Sequence, residues 1–244
     1  MKTSTMTRQF SILFGLLFSI TLSSCSQTTA DEYLMKGDAF YRQKDYRNAV
    51  EQYDKAIEKK NDLVIAYLNK GQALDYQRKF QDAIENYSTL LKIIPDQTQA
   101  LISRGIIYIK IQKFQEAIDD LEKANQQDPN NAQTLSNLGL SKVRIKDTSG
   151  INDLDKSVLI DSSSFEVFYN RGLAKFLFED LNGAIKDFET AINLKPDLAA
   201  AYFSLGLCKF QIGDKDNACK LWKIAMDKGY ISEKAQTIID QNCN

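Results

Sequence analysis

Residues 67–95, YLNKGQALDYQRKFQDAIENYSTLLKIIP, decide the fold, because their pattern recurs along most of the chain. Gly71 in this stretch belongs to the series Gly37, Gly71, Gly105, Gly139, Gly172 and Gly206, spaced by 34, 34, 34, 33 and 34 residues. A period in that range signals stacked supersecondary units. Four residues before each glycine stands a large apolar group: Tyr33, Tyr67, Leu101, Leu135, Phe168 or Tyr202. Twelve after it comes Ala49, Ala83, Ala117, Ala184 or Ala218, and sixteen after it Tyr53, Tyr87, Leu121, Phe188 or Trp222. Nineteen after it is Ala56, Leu90, Ala124, Ala191 or Ala225. The chain's three prolines, Pro95, Pro129 and Pro196, share one phase just past a helix end, where they remove no helical hydrogen bond. A glycine inside a helix costs roughly 1 kcal/mol relative to alanine, so six at one phase imply a packing reason.

These residues resemble the tetratricopeptide repeat (TPR) family, whose motif runs aromatic, Leu-Gly, Tyr, Ala, Phe, Ala, Pro in this order. The resemblance covers about residues 30–230. It implies an all-α fold, a right-handed α-solenoid of six helix pairs over residues 31–230 with a C-terminal capping helix within 231–244. In each pair the glycine is expected to let the second helix approach through its alanine, while the large residues fill the space between pairs. Turns within pairs are expected at Lys44-Asp45, Arg78-Lys79, Gln112-Lys113, Lys146-Asp147, Glu179-Asp180 and Gly213-Asp214. Ala235, Ile238 and Ile239 give the last helix its apolar side.

At the N-terminus Lys2 and Arg8 precede an apolar run, residues 10–22, that ends in Leu22-Ser23-Ser24-Cys25. The run is shorter than the roughly 20 residues of a membrane span and suits a signal-peptide core. Its last four residues resemble a bacterial lipobox, which implies a removed signal peptide within residues 1–25 that is cut immediately before the cysteine, a thioether lipid on Cys25 and acylation of the new terminus. Ser26, rather than an aspartate, follows Cys25, and by that resemblance the expected location is the outer membrane of the cell envelope, with residues 26–30 as a short tether. The bilayer is then one partner.

Without Lys2 and Arg8 the chain carries 29 basic groups against 32 acidic ones, and the basic residues are scattered, so nucleic acid is not an expected partner. With no histidine in the chain, the usual Ser-His-Asp and Cys-His arrangements and the commonest zinc ligand are missing. No glycine-rich phosphate loop follows a strand pattern. Asp119 and Asp120, and Asp153 and Asp155, read as solvated surface carboxylates. Asp180, Asn182, Gly183 and Glu189 have calcium-loop spacing, but Phe178 holds the first ligand position and the segment reads as a repeat turn. The expectation is a noncatalytic protein with no cofactor and no metal.

The fourth repeat is one residue short, and Gly150 and Ser157 replace its small contact residues. Ser149-Gly150 makes it the softest junction, read either as a hinge or as a fixed change of superhelical angle. Beyond Cys25, three cysteines remain. An antiparallel last helix would bring Cys243 beside Cys219 for a disulfide; Cys208 with Cys219, or three thiols, are the alternatives.

In TPR proteins the first helices line a concave groove that holds a protein or peptide, and here the groove changes character along its length. Its first two repeats present Leu34, Asp38, Tyr41, Arg42, Leu68, Gln72, Asp75 and Tyr76, a mixed surface. Repeats three to six present Ile102, Ile106, Ile109, Leu140, Val143, Tyr169, Leu173, Phe176, Phe203, Leu207 and Phe210. If exposed, that stripe implies a peptide, a partner helix or a second copy in a homo-oligomer; alternatively a tight superhelix buries many of its members. Asn69, Asn137 and Asn170 lie at a phase that some relatives use to clamp a carboxylate, but Asp38 breaks the series and the expected lysines are missing. Arg144 and Lys110 are left to meet an acidic residue of a partner.

Overall fold

The computed structural model describes residues 28–243, so the apolar N-terminal run and Cys25 lie outside the described residues. Those residues form thirteen helices and no strand. Six helix pairs run α1 Ala30–Arg42 with α2 Tyr46–Lys59, α3 Val64–Tyr76 with α4 Phe80–Ile93, and α5 Thr98–Lys110 with α6 Phe114–Gln127. They continue with α7 Ala132–Arg144 and α8 Gly150–Ile160, α9 Phe165–Leu177 and α10 Leu181–Leu194, and α11 Ala199–Gln211 and α12 Lys215–Asp227. α13, Glu233–Asn242, ends the array. Each helix packs on the next in the chain, and each first helix also touches the first helix of the following pair, as in a solenoid.

The turn inside every pair has one construction. Its second residue takes a left-handed conformation, at φ 61° for Lys44, 59° for Arg78, 60° for Gln112, 67° for Lys146, 64° for Glu179 and 87° for Gly213. That lets two N–H groups fold back on the helix end, as where Lys44 N donates to the Tyr41 carbonyl (2.9 Å) and Asp45 N to that of Phe40 (3.0 Å). Asp45 then caps α2 by accepting from Asn48 N at 3.2 Å.

The repeated glycines also receive a large side chain of their own pair. A Cβ on Gly37 would sit 2.5 Å from the Tyr53 ring, one on Gly172 2.8 Å from that of Phe188, and one on Gly206 2.5 Å from that of Trp222. The large group sixteen residues on packs against the glycine of its own pair, and it also joins clusters with the next pair, Tyr53 with Ala73 and Phe188 with Leu205 and Cys208. Tyr53, Phe188 and Trp222 are fully buried there, and the neighbouring alanines Ala49, Ala184 and Ala218 close the crossing.

The fourth pair departs from this scheme. α8 has 11 residues where most second helices have 14. Gly139 and Gly150 bring the two backbones together, and a Cβ on Gly139 would meet the Gly150 carbonyl oxygen at 2.5 Å. Gly150 therefore makes a close crossing instead of a loose one. The shortened α8 offers α9 less surface, and α9 packs directly on α7.

At the far end Ala235 is buried and Ile238 and Ile239 are half-buried against the last pair. A disulfide joins Cys219 to Cys243 with a Cα–Cα distance of 5.5 Å. Cys208 is a buried free thiol, and its burial pushes its pKa up to about 11. No described helix is long and apolar enough to cross a membrane.

Candidate functional site

The first helices α5, α7 and α9 stand side by side and leave a cleft of about 470 Å³ across three successive pairs. Its floor includes Ile106 from α5 and Tyr169 from α9. Its walls are polar: Gln133, Ser136 and Asn137 from α7, Asp161 and Ser164 from the loop before α9, and Glu166 and Asn170 from α9. Asn170 donates to Ser136 Oγ at 2.9 Å, which ties the two helices across the cleft, and Asn137 donates to the Gln133 carbonyl at 3.0 Å. Glu166 accepts from Ser164 Oγ at 2.8 Å, and with Gln133 and the two asparagines it lines a space large enough for several residues of an extended segment. A shallow cleft with an apolar floor and convergent polar groups is a binding surface. Burial first, relieved in part by a hydrogen bond with Ser204, raises the Tyr169 pKa, so that phenol stays neutral and available to donate.

The expected oily stripe is mostly shut away. Ile102, Val143 and Phe203 are no more than 7% exposed and belong to the core: Val143 packs with Leu154 and Ala174, and Phe203 stacks on Tyr230 with ring centroids 4.6 Å apart. Tyr41, Ile106, Ile109, Leu140, Tyr169, Leu173, Phe176 and Leu207 are half-buried. Only Tyr76, at 62%, and Phe210, at 38%, are exposed. Gln133, Ser136 and Glu166 escaped the sequence reading because it followed hydrophobicity along the groove. Their phase on the first helices was a signal that could have found them.

At the other end, Tyr76 stacks on Tyr46 with centroids 4.8 Å apart and meets Tyr41 edge-on at 5.9 Å. Burial, then the neighbouring Tyr76, raises the Tyr41 pKa to about 12. Lys110, expected to be available to a partner, is instead committed to Asp75 on α3. Asn69 donates to Asp38 Oδ1 at 2.9 Å, and Tyr53 donates to the same oxygen at 2.8 Å, so the clamp phase is used for structure there.

Two carboxylates are buried, and one of them, Asp120, was expected on the surface. Asp120 is 3% exposed and accepts from Arg104 Nε and Nη2, both at 2.7 Å, while Arg104 Nη1 reaches Ser88 of the preceding pair at 2.8 Å. Asp187, also 3% exposed, repeats the bond with Arg171, which extends to Asp155 of the preceding pair at 3.1 Å. Asp153 pairs with Lys142 at 3.0 Å, whereas Asp119 is exposed. These forks rivet successive pairs. Asp180 is an N-cap, accepting from Gly183 N at 2.9 Å. Among the described residues no group of three or more acidic or cysteine side chains is placed to hold a metal ion.

Residues 40–153 match the family described as Psidin, N-terminal TPR repeats region; residues 179–213 match TPR repeat, and 200–228 match tetratricopeptide repeat. No curated protein matches the chain in sequence. Among solved structures, MamA is 28% identical, with a TM-score of 0.52 over 66% of this chain and 89% of its own. A tetratricopeptide repeat protein from Parabacteroides merdae is 17% identical and superposes with a TM-score of 0.65 over 88% of this chain and 99% of its own. YrrB, described as a TPR protein with an unusual peptide-binding site, is 21% identical with a TM-score of 0.52 over 78% of this chain and 98% of its own. With the period, the helix pairs and the glycine-on-ring crossings, these matches show that the chain belongs to the tetratricopeptide-repeat family.

Proposed function

We propose that this protein is a noncatalytic scaffold that holds a segment of another protein of the cell envelope in the cleft of α5, α7 and α9 while a lipid on Cys25 tethers it to the membrane. One observation carries the reading: the cleft spans three successive pairs and combines an apolar floor, Ile106 and Tyr169, with the polar groups of Gln133, Asn137, Glu166 and Asn170. An extended segment needs both, since its backbone requires hydrogen-bond partners and its side chains require apolar surface. The peptide-binding site of YrrB, on the same fold, supports this reading by likeness.

The tether follows from the lipobox-like residues 22–25 and from the position of α1, which starts at Ala30, with Thr29 as its N-cap. So short a connection would hold the first pair within about 20 Å of the lipid surface, at 3.3 to 3.6 Å per extended residue. Outer-membrane placement rests on Ser26. Self-association through the groove is the weaker reading, because Ile102, Val143 and Phe203 are withdrawn into the core.

Photo-crosslinking in intact cells tests the cleft. A photoreactive residue in place of Gln133 should trap a discrete partner, and the same residue at Lys123 on the outer surface should not. Equal products from both positions would defeat the proposal. For the tether, Cys25→Ala should move the protein from the membrane to the soluble fraction and abolish incorporation of labelled palmitate; unchanged fractionation and labelling would refute lipidation.

A further inference from the structure

The opposite ends of α7 and α9 carry a second concavity, about 370 Å³, that shares no residue with the cleft. Phe114, Val143, Leu177 and Phe178 form its walls, and Arg144 and Lys146 stand at its mouth. Leu177 is 45% exposed and Phe178 37%, and the neighbouring Ile145 is 44% exposed, so an apolar ridge lies open to solvent around it. Single exposed apolar residues are ordinary; a cluster around a concavity marks a contact surface.

The charged groups that line it are both cations. Arg144 rests on the Phe114 ring, 5.4 Å from the centroid, and no ion pair engages either Arg144 or Lys146 among the described residues. The carboxylates of the flanking turns lie outside the lining: Asp147 accepts from Ser149 N at 2.9 Å, Asp180 accepts from Gly183 N at 2.9 Å, and Glu179 is exposed. Lys110 and Arg171, by contrast, are paired, with Asp75 and Asp187. Lys146 also holds the left-handed turn conformation, which fixes where its side chain leaves the backbone.

We propose that this concavity is a docking site for an acidic segment of a partner protein, one that inserts a large apolar side chain between Phe114, Leu177 and Phe178 and sets flanking carboxylates on Arg144 and Lys146. The charge chooses the occupant, since an apolar wall alone would accept any oily side chain, whereas two lining cations without an ion pair favour carboxylates over neutral groups and oppose a basic segment. A guanidinium already seated on an aromatic ring loses little freedom when it binds a carboxylate in a forked pair.

The test uses the purified full chain and two fluorescein-labelled, C-terminally amidated peptides, Asp-Glu-Phe-Glu-Asp and its neutral counterpart Asn-Gln-Phe-Gln-Asn, followed by anisotropy. The acidic peptide should bind at least about tenfold more tightly than the neutral one, with the difference shrinking as salt rises. Arg144→Glu with Lys146→Glu should weaken it about tenfold or more, and Arg144→Gln with Lys146→Gln should weaken it in the same direction if reversal disturbs folding. Lys123→Glu with Lys156→Glu, on exposed outer positions with the same change of net charge, should leave affinity within about twofold. Equal binding of the two peptides, binding by neither, or equal losses from the two charge reversals would overturn the proposal. Because Gln133 and Asn137 take no part, cleft crosslinking can fail while this site stands, and the reverse holds as well.

Discussion

Replacing Asp187 by asparagine should be among the most damaging single changes in the solenoid. Its carboxylate is 3% exposed and accepts from Arg171 Nε at 2.9 Å, Arg171 Nη2 at 2.7 Å and Lys175 Nζ at 2.8 Å. Removing one partner of a buried ion pair costs about 3–5 kcal/mol, because the remaining charge stays desolvated without compensation. Here two cations lose their partner, but Arg171 keeps Asp155 at 3.1 Å, and the Arg171 and Lys175 side chains are 18% and 22% exposed. The expected loss is therefore at the low end, about 3 kcal/mol, read as a fall in the urea midpoint of the helical circular dichroism signal. Asp155→Asn, at a carboxylate 53% exposed, should cost no more than about 1 kcal/mol. The decisive variant is Arg171→Met with Lys175→Met and Asp187→Leu, which removes all three charges together and should be more stable than Asp187→Asn alone. If Asp187→Asn and Asp155→Asn cost the same, or if the triple variant is the least stable, the burial argument is wrong.

Three further outcomes are expected. Lys146, at φ 67°, occupies a conformation that costs a side-chain-bearing residue about 1–2 kcal/mol. Lys146→Gly should then raise stability by about 0.5–1 kcal/mol after the entropy of glycine is counted, and Gly213→Ala should lower it, both measured by urea denaturation. Alkaline pH should destabilise the fold. Burial raises the thiol of Cys208 from 9.0 to about 11 and the phenol of Tyr87 from 10.0 to about 12, so the native state keeps protons that the unfolded state releases. Stability is then intact below the unfolded values and falls between about pH 9 and 12, and Cys208→Ala should flatten the first part of that fall in a melting-temperature series. Cys243→Ser should open residues 233–242 to proteolysis while leaving the helical signal of the repeats in place, because α13 buries only Ala235 fully and relies on the bond to Cys219; unchanged resistance would show that packing alone holds the helix.

Much of the architecture was legible because the repeat encodes the same contacts six times. The 34-residue spacing of the glycines locates every pair, and even the short repeat announces itself by one missing residue. Local chemistry did not reveal the partner of each contact. Gly37 and Tyr53 are visibly sixteen apart, yet only the folded crossing shows the ring lying on the glycine. Asp119 and Asp120 are identical neighbours in sequence, and which of them is buried depends on Arg104, sixteen residues earlier. The same interval separates Arg171 from Asp187, so a search for opposite charges at the glycine-to-ring spacing would have found both rivets. In the groove, hydrophobicity was a poor guide. A residue such as Val143 can face the concave side by phase and still be covered, because α9 has moved onto α7.

The two candidate surfaces have opposite character for a common physical reason. α7 and α9 run parallel, so both N-termini border the cleft and both C-termini border the second concavity. Aligned peptide dipoles favour acidic groups at helix starts and basic groups at helix ends. Glu166 stands in the first turn of α9, and Arg144 in the last turn of α7. Charges that suit the helices thus give one rim acceptors and the other rim cations. Stability of the helix ends can explain why such charges are placed there, but not why Arg144 and Lys146 enclose an apolar hollow whose walls remain in water. That combination asks for an occupant, and the peptide pair separates the two roles: dipole compensation alone predicts no selectivity between carboxylates and amides carried on the same phenylalanine.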